Sequence, residues 1–407
     1  MAAIKEKHGT HCEVNTMSYE ENKSKAFERL NLDESSYRVY EDGKVGIFHC
    51  IGTVSDEEGY AKAQADPERA RPYPFSPEAG STRFRDLSET EFSAGELMAL
   101  AEEYMKYLTD NYPQFTFSGK FTTTRQTDTF TNDLGADYSN SDASVGVGIM
   151  FKHKDSKNIM DGAFEFNMRT PDDGTKFREM ADLYLGQWDT VAEIPEDVIL
   201  DMQYYGFAGS LVSELDAEEM SLGNSRLSGK LGEKVFADSF TLEHDATDKE
   251  SWYTRFWDGE GCVIPGDKLL LIENGVIKTG YSDKRVADKY GVPHTKTAGR
   301  NFGDLTYPGG MNVRIRRSDK TIRELLDGRL AVIPIDYTRS QLDQKGDMTI
   351  VINSSLLWDG EKVIGRLPEF KVKTNFYDIF GKDFLGVGSD DPATYHDKQM
   401  LLHVERV

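Results

Sequence analysis

The sequence predicts an α+β fold, with an N-terminal α/β portion of a hairpin and helices and a C-terminal β-rich domain of antiparallel sheets. Three observations carry that prediction. A hairpin and two capped amphipathic helices open the chain. A stretch of period-two alternation runs from Phe115 to Met168. From Val235 onward, short β-prone segments alternate with glycine-rich turns. Mixed helices and antiparallel strands in both halves define the class.

The first 23 residues are polar and predict a loosely held terminus. Ser36–Tyr40 and Val45–Ile51 read as strands joined by the turn Glu41-Asp42-Gly43-Lys44. Ser55 caps a helix to about Ala65, its first turn made acidic by Asp56, Glu57 and Glu58. The prolines at 72, 74 and 77 forbid regular structure and mark a connector. Ser93 and Glu96 form a capping box for a helix to Asp110, with Leu97, Leu100, Ala101, Tyr104, Met105 and Leu108 at helical spacing. Successive strands are predicted at 115–118, 121–124, 127–131, 144–152 and 162–168, and a helix at 174–185.

These elements divide into an N-terminal domain, 24–190, with sub-parts near 24–90 and 91–190, and a C-terminal domain, 191–407. Pro195 at a first-turn position, followed by an apolar stripe from Val198 to Leu215, predicts a helix opening the second domain. Strands are then expected at 268–272, 276–281, 312–316, 330–335, 348–354 and 362–367. Two short helices interrupt them, near 283–290 and 321–326.

Composition excludes several function classes. The chain of 407 residues carries 48 Lys plus Arg against 70 Asp plus Glu, a formal charge of −22. Such a surface repels phosphate backbones and anionic lipid, so neither direct nucleic-acid nor membrane binding is expected. The one basic run, Arg314-Ile-Arg316-Arg317, reads as a strand. Three scattered cysteines, Cys12, Cys50 and Cys262, form no disulfide framework. No apolar leader is visible, and a cytoplasmic setting is expected.

Motifs for chemistry are sparse. HExxH, GxSxG, GxxxxGK[ST] and a strand-borne GxGxxG are all missing from the sequence. His8, His11 and Cys12 form a local cluster in the polar terminus, where a solvated tail is the simpler reading than a metal site. His244 reads as an exposed histidine in an acidic turn, Cys50 as a small core residue, and Cys262 as a thiol whose pKa its acidic neighbours raise. No catalytic residue is assigned.

An ordered series of segments is more specific. It comprises Asp42–Phe48, Tyr73–Phe75, Ser225–Val235, Phe240–Asp245, Phe256–Gly261, Leu270–Lys278, Thr297–Arg300, Pro308–Asn312 and Asp378–Gly381. In this order it resembles the TldD/PmbA family of metallopeptidase-related proteins, also called modulators of DNA gyrase, over roughly residues 24–407. The resemblance implies a role in proteolysis or maturation of unfolded peptides. In TldD-type members zinc is held by HExxxH on the helix opening the C-terminal domain, with a cysteine near the C-terminus. Here the first place reads Met202-Gln-Tyr-Tyr-Gly-Phe-Ala-Gly209 and the second Gly386-Val-Gly-Ser-Asp390. Neither contains His or Cys, so no zinc ligand is assigned and the chain resembles the TldE/PmbA type.

That likeness implies a non-zinc subunit, not catalytic alone, with zinc expected only in a TldD-like partner. The alternative is a non-enzymatic homodimer that binds peptides or proteins. In the loops at the matched segments, the polar residues Arg255, Glu260, Asn274, Arg300 and Asn312 are the suggested peptide contacts, each also readable as a turn or salt-bridge residue.

Overall fold

A computed structural model describes residues 3–66, 71–203, 205–390 and 399–407. Its N-terminal half is an eight-stranded sheet. The strands are β1 (Ile4–Glu20), β2 (Lys23–Glu41), β3 (Lys44–Ile51), β4 (Arg71–Pro72), β5 (Thr82–Asp86), β6 (Phe115–Asn132), β7 (Asp137–His153) and β8 (Gly162–Met168). Their order is β4-β3-β2-β1-β6-β7-β5, with β8 also on β7. All pairs are antiparallel except β5–β7.

The expected loose terminus, residues 1–23, is corrected. β1 lies at the centre of the sheet, paired along most of its length with β2 on one side and β6 on the other. The three short strands expected between 115 and 131 are likewise one strand. Alternation sorts the faces. Met17, Phe117, Phe121, Val147, Ile149, Phe164 and Phe166 point to one side and meet α2 (Ala94–Asn111) and α3 (Thr175–Leu185). On α2 the Ser93 and Glu96 capping box is formed, and the buried stripe is the predicted one. Such a cap contributes about 1 kcal/mol. α1 (Asp56–Gln64) is capped by Ser55 and covers β2 and β3.

The predicted helix over Pro195–Leu215 is also corrected. Val198–Gln203 is a strand, β9, and the helix α4 covers only Tyr205–Glu214. Tyr204 and the Tyr205 side chain lie outside the described residues, as does His396. The reason is two-sided burial, which gives a continuous apolar run readable either way. Val198, Leu200 and Met202 enter one core while Ile199 enters the other.

β10 (Leu242–Asp245), β11 (Lys268–Glu273), β12 (Val276–Ile277) and β15 (Val313–Ile315) make a four-stranded sheet, and β13 (Ala298–Gly299) pairs with β14 (Tyr307–Pro308). A seven-stranded sheet contains β9, β16 (Ala331–Arg339), β17 (Asp347–Trp358), β18 (Val363–Leu367), β19 (Phe370–Asn375), β20 (Phe384–Gly386) and β21 (Gln399–Arg406). In it β16, β9, β21, β19 and β17 pair in a closed circuit. The short helices α5 (Ala217–Leu222), α6 (Lys284–Tyr290), α7 (Ile322–Leu326) and α8 (Phe376–Ile379) fill the connections.

The two halves share a core: Ile199, Ile333, Leu356, Trp358 and Leu401 pack with the helix face of the N-terminal sheet. Among the described residues no helix is long and apolar enough to cross a membrane.

Candidate functional site

The opposite face of the N-terminal sheet is polar and carries two features. At one end of its strands is a groove of about 790 Å³. Ser18, Lys120, Thr122 and Gly148 form its floor, and Glu165 and Asn167 of β8 one wall. The other wall is Asp201–Gln203 of β9 with Ile333–Ile335 and Tyr337 of β16. β8 pairs only with β7 among the described residues, so its far edge is open. β16 meets β9 at the single pair Val332–Leu200, and beyond it the two strands part along the groove. The groove therefore lies at the junction of the two halves, a common place for ligand sites.

α4 begins directly beyond Gln203, which lines this groove. The carboxylates lining it are Glu165 and Asp201, and neither His nor Cys is among the described lining residues. Two carboxylates without a nitrogen or sulfur donor do not fit a catalytic zinc site, which takes three protein ligands and holds a water. No step is therefore routed through zinc in this chain.

At the other end of β1 the same face docks onto loops of the C-terminal half. Register builds it row by row: Glu6 opposite Arg38, His8 between Ser36 and Phe130, Thr10 between Glu34 and Asp128. The Ser36 hydroxyl donates to the Phe302 carbonyl at 2.7 Å. Arg38 donates to the carbonyls of Asn301 and Asp304, each at 3.2 Å. Arg300 donates to Thr10 Oγ1 at 3.1 Å and stacks over Phe302. Gly261, at φ 71°, lies so close to Phe130 that a Cβ there would be 2.1 Å from the ring.

This docking places Glu260, 2% exposed, in a buried network. Its carboxylate accepts from the Tyr73 hydroxyl at 2.8 Å and from Thr306 at 3.2 Å, and His294 Nε2 stands 3.3 Å away. Asp258 Oδ1 accepts the backbone N–H groups of Glu260 and Cys262, and Oδ2 that of Ala298. Burial, then Glu260, nevertheless raises the Asp258 pKa to about 6. Burial, then Asp258, pushes the Cys262 thiol up, so it is no nucleophile. Asp258, Glu260, Cys262 and His294 bring possible ligand atoms within 4.8 Å of one another. Both carboxylates are already satisfied by hydrogen bonds and the thiol holds its proton, so this group is a structural knot tying loop to sheet.

Of the five suggested contacts, the structure brings Arg255, Glu260 and Arg300 to this interface; the fields of Arg300 and Arg255 both act on His8. Asn274 belongs instead to the β11–β12 turn, at φ 47° ahead of Gly275, with its N–H on Thr241. Asn312 supports β10, its N–H donating to His244 Nδ1 at 2.9 Å. His244 is itself corrected from an exposed turn to a buried strand residue, its pKa lowered by burial. Cys50 is half-exposed rather than a core residue. Sequence reasoning missed Glu6 and Arg38, and His8, read there as part of a solvated tail, is corrected to a fully buried residue of β1; alternation along the strands was the signal that could have found them. The basic run is neutralised locally, Arg314 by Glu243 and Asp245 and Arg316 by Glu243.

Comparisons with known proteins agree with this architecture. Residues 196–399, half of the chain, match the model of the PmbA/TldA metallopeptidase C-terminal domain. A metalloprotease of Methanothermobacter thermautotrophicus is 25% identical over 265 residues, 62% of this chain and 56% of that protein. An uncharacterized protein of Methanocaldococcus jannaschii is 27% identical over 155 residues, 38% of this chain and 36% of that protein. These alignments thus span between about a third and just over half of the curated relatives' length. Among solved structures, TldE of Thermococcus kodakarensis has the same fold, with a TM-score of 0.81 at 17% identity over 99% of this chain and 96% of that one. A protein of Thermotoga maritima described as a modulator of a DNA gyrase gives 0.75 at 18%, with the same coverage. The family match over half of the chain, on a fold shared from end to end, shows that this protein belongs to the PmbA/TldD family.

Proposed function

We propose that this chain is the peptide-holding, non-zinc subunit of a TldD/TldE-type peptidase, acting in proteolysis or maturation of unfolded peptides. One observation carries the reading. A groove beside the start of α4 is walled by an open strand edge and is lined by apolar side chains together with two carboxylates, hydroxyls and amides, with neither His nor Cys among its described residues. An extended peptide added to the edge of β8 gains backbone hydrogen bonds whatever its sequence, which suits varied unfolded substrates. Glu165 and Asp201 favour basic or neutral segments. The chain's own work is then to bind the segment, straighten it and present it, while a TldD-like partner supplies the metal and its activated water.

The test is reconstitution. Co-purify this chain with a family member bearing an intact HExxxH and assay cleavage of an unfolded peptide with zinc present. The reading requires cleavage to depend on both chains. Equal cleavage by the partner alone rejects it, and peptide binding by a homodimer without any such partner favours a non-enzymatic binding module.

A further inference from the structure

The groove beside β8 is closed at one end. Its floor and β8 wall are built in rows across the sheet: Ser18, Lys120, Gly148 and Glu165, then Thr122, Gly146 and Asn167. In the next row Thr124 lies opposite Ser144, and Tyr253, from the loop after β10, covers that pair. The Tyr253 and Ser144 hydroxyls are 2.5 Å apart, and the Tyr253 N–H donates to Asp142 at 3.0 Å. Arg169 follows β8 directly. It holds both oxygens of Asp142, at 2.9 and 2.8 Å, and donates to the Lys249 carbonyl. Its guanidinium also stacks on Trp252, 4.3 Å from the ring centroid. The loop therefore stands across the floor from β6 to the end of β8. At the opposite end Met150 and Ala163 line the groove and are exposed, so it opens there.

Tyr253 is held in an unusual way. Its φ is 56°, a region in which a bulky residue is strained and glycine is not. The contacts with Ser144 and Asp142 fix it there, with the ring lying on the sheet.

We propose that Tyr253, backed by the Arg169–Trp252 stack, is an end stop, so that the groove takes the amino end of a peptide and not the middle of a chain. The peptide rests on the function proposed above; the stop rests on the covered row. Between its two walls, a segment that follows the strands must finish at Tyr253. β8 runs from the open mouth toward the loop, so a strand added antiparallel to it seats its first residue at the stop. Antiparallel pairing is the more stable per residue. The lining charges agree: Glu165 and Asp201 stand against the single ammonium of Lys120, a field that favours a free amino group.

The experiment is competition against a labelled, unstructured decapeptide, read by fluorescence anisotropy. The competitors are the plain decapeptide, one with a naphthylmethyl group on its amino end, and one with that group on the side chain of a C-terminal lysine. Both attachments leave the amines charged, so bulk alone is tested. The parent protein should bind the amino-capped peptide about tenfold more weakly than the plain one, one lost contact's worth, and the C-capped peptide as tightly as the plain one. Tyr253→Gly opens the row over Thr124 and Ser144 and should bind amino-capped and plain peptides alike. Glycine takes this φ freely and keeps the N–H on Asp142, so the variant should fold; Tyr253→Asn, which also accepts positive φ, gives the same test if it does not. A parent indifferent to the amino cap, or weakened equally by both caps, overturns the end stop and leaves peptide binding standing. Discrimination that survives in both variants overturns the role of Tyr253. No binding of any peptide rejects the proposed function and the end stop with it.

Discussion

Gly261→Ala tests how the C-terminal loops are locked to the N-terminal sheet. Gly261 sits at φ 71°, where an L-residue costs about 1–2 kcal/mol. Its Cβ would also fall 2.1 Å from the Phe130 ring. Phe130 is 1% exposed, stacked on Tyr138 and edge-on to His8, and has nowhere to go. Forcing a methyl into such packing costs a further ~1–3 kcal/mol. Gly266→Ala is the matched control, since φ is 68° and nothing lies within 4 Å of its Cβ. Backbone strain and the reduced freedom of the unfolded chain are common to both and cancel in the difference. Urea unfolding should therefore show Gly261→Ala less stable than Gly266→Ala by ~1–3 kcal/mol. Equal costs would refute the claim that this loop presses on Phe130.

Other outcomes follow from the same contacts. Burial raises Glu6 from 4.5 to about 7, so its contribution is complete below pH 4.5 and lost as pH rises through 7. At about 1.36 kcal/mol per pH unit that is ~3 kcal/mol, and Glu6→Gln should gain about that much on the parent between pH 4.5 and 8 in urea titrations; a pH-independent difference would remove the assignment. Leu200→Ala, in the core enclosed by β9 and its neighbours, should cost ~2–5 kcal/mol by the same method. Gly148→Phe fills the floor of the groove, where a Cβ meets nothing closer than 3.8 Å. It should weaken peptide binding at least about tenfold, one lost contact's worth, with little change in melting temperature. Asn274→Gly, in a turn that accepts glycine, should leave peptide binding unchanged in the same anisotropy assay.

Much of the fold was legible because local signals and tertiary burial agree there. The Ser93 box and its stripe, the 36–51 hairpin and the β8 alternation read the same in sequence and structure. β1 did not, since its residues His8 to Thr16 are mostly polar. They are ordered by pairing with a threonine-rich β6 and by docking loops some 290 residues away, which no local pattern reports. β9 failed for the opposite reason, being apolar on both faces and short enough to pass for a helix turn. Glu260 and Arg300 were singled out because family segments carry them, and Arg255 because it borders one. Their neighbours Glu6, His8 and Arg38 were hidden in strands whose partners only the fold supplies. Asn274 and Asn312 shared those segments but serve turns and strand ends.

Amide hydrogen exchange on the protein with and without an extended, unfolded peptide tests the central claim most directly. Slowed exchange concentrated in Gly162–Met168 and in the 333–337 segment of β16 is the result the account predicts, because a peptide added to the open edge protects those backbones. Saturating peptide that leaves both segments unchanged, or that protects a different edge such as Val363–Leu367, would contradict it.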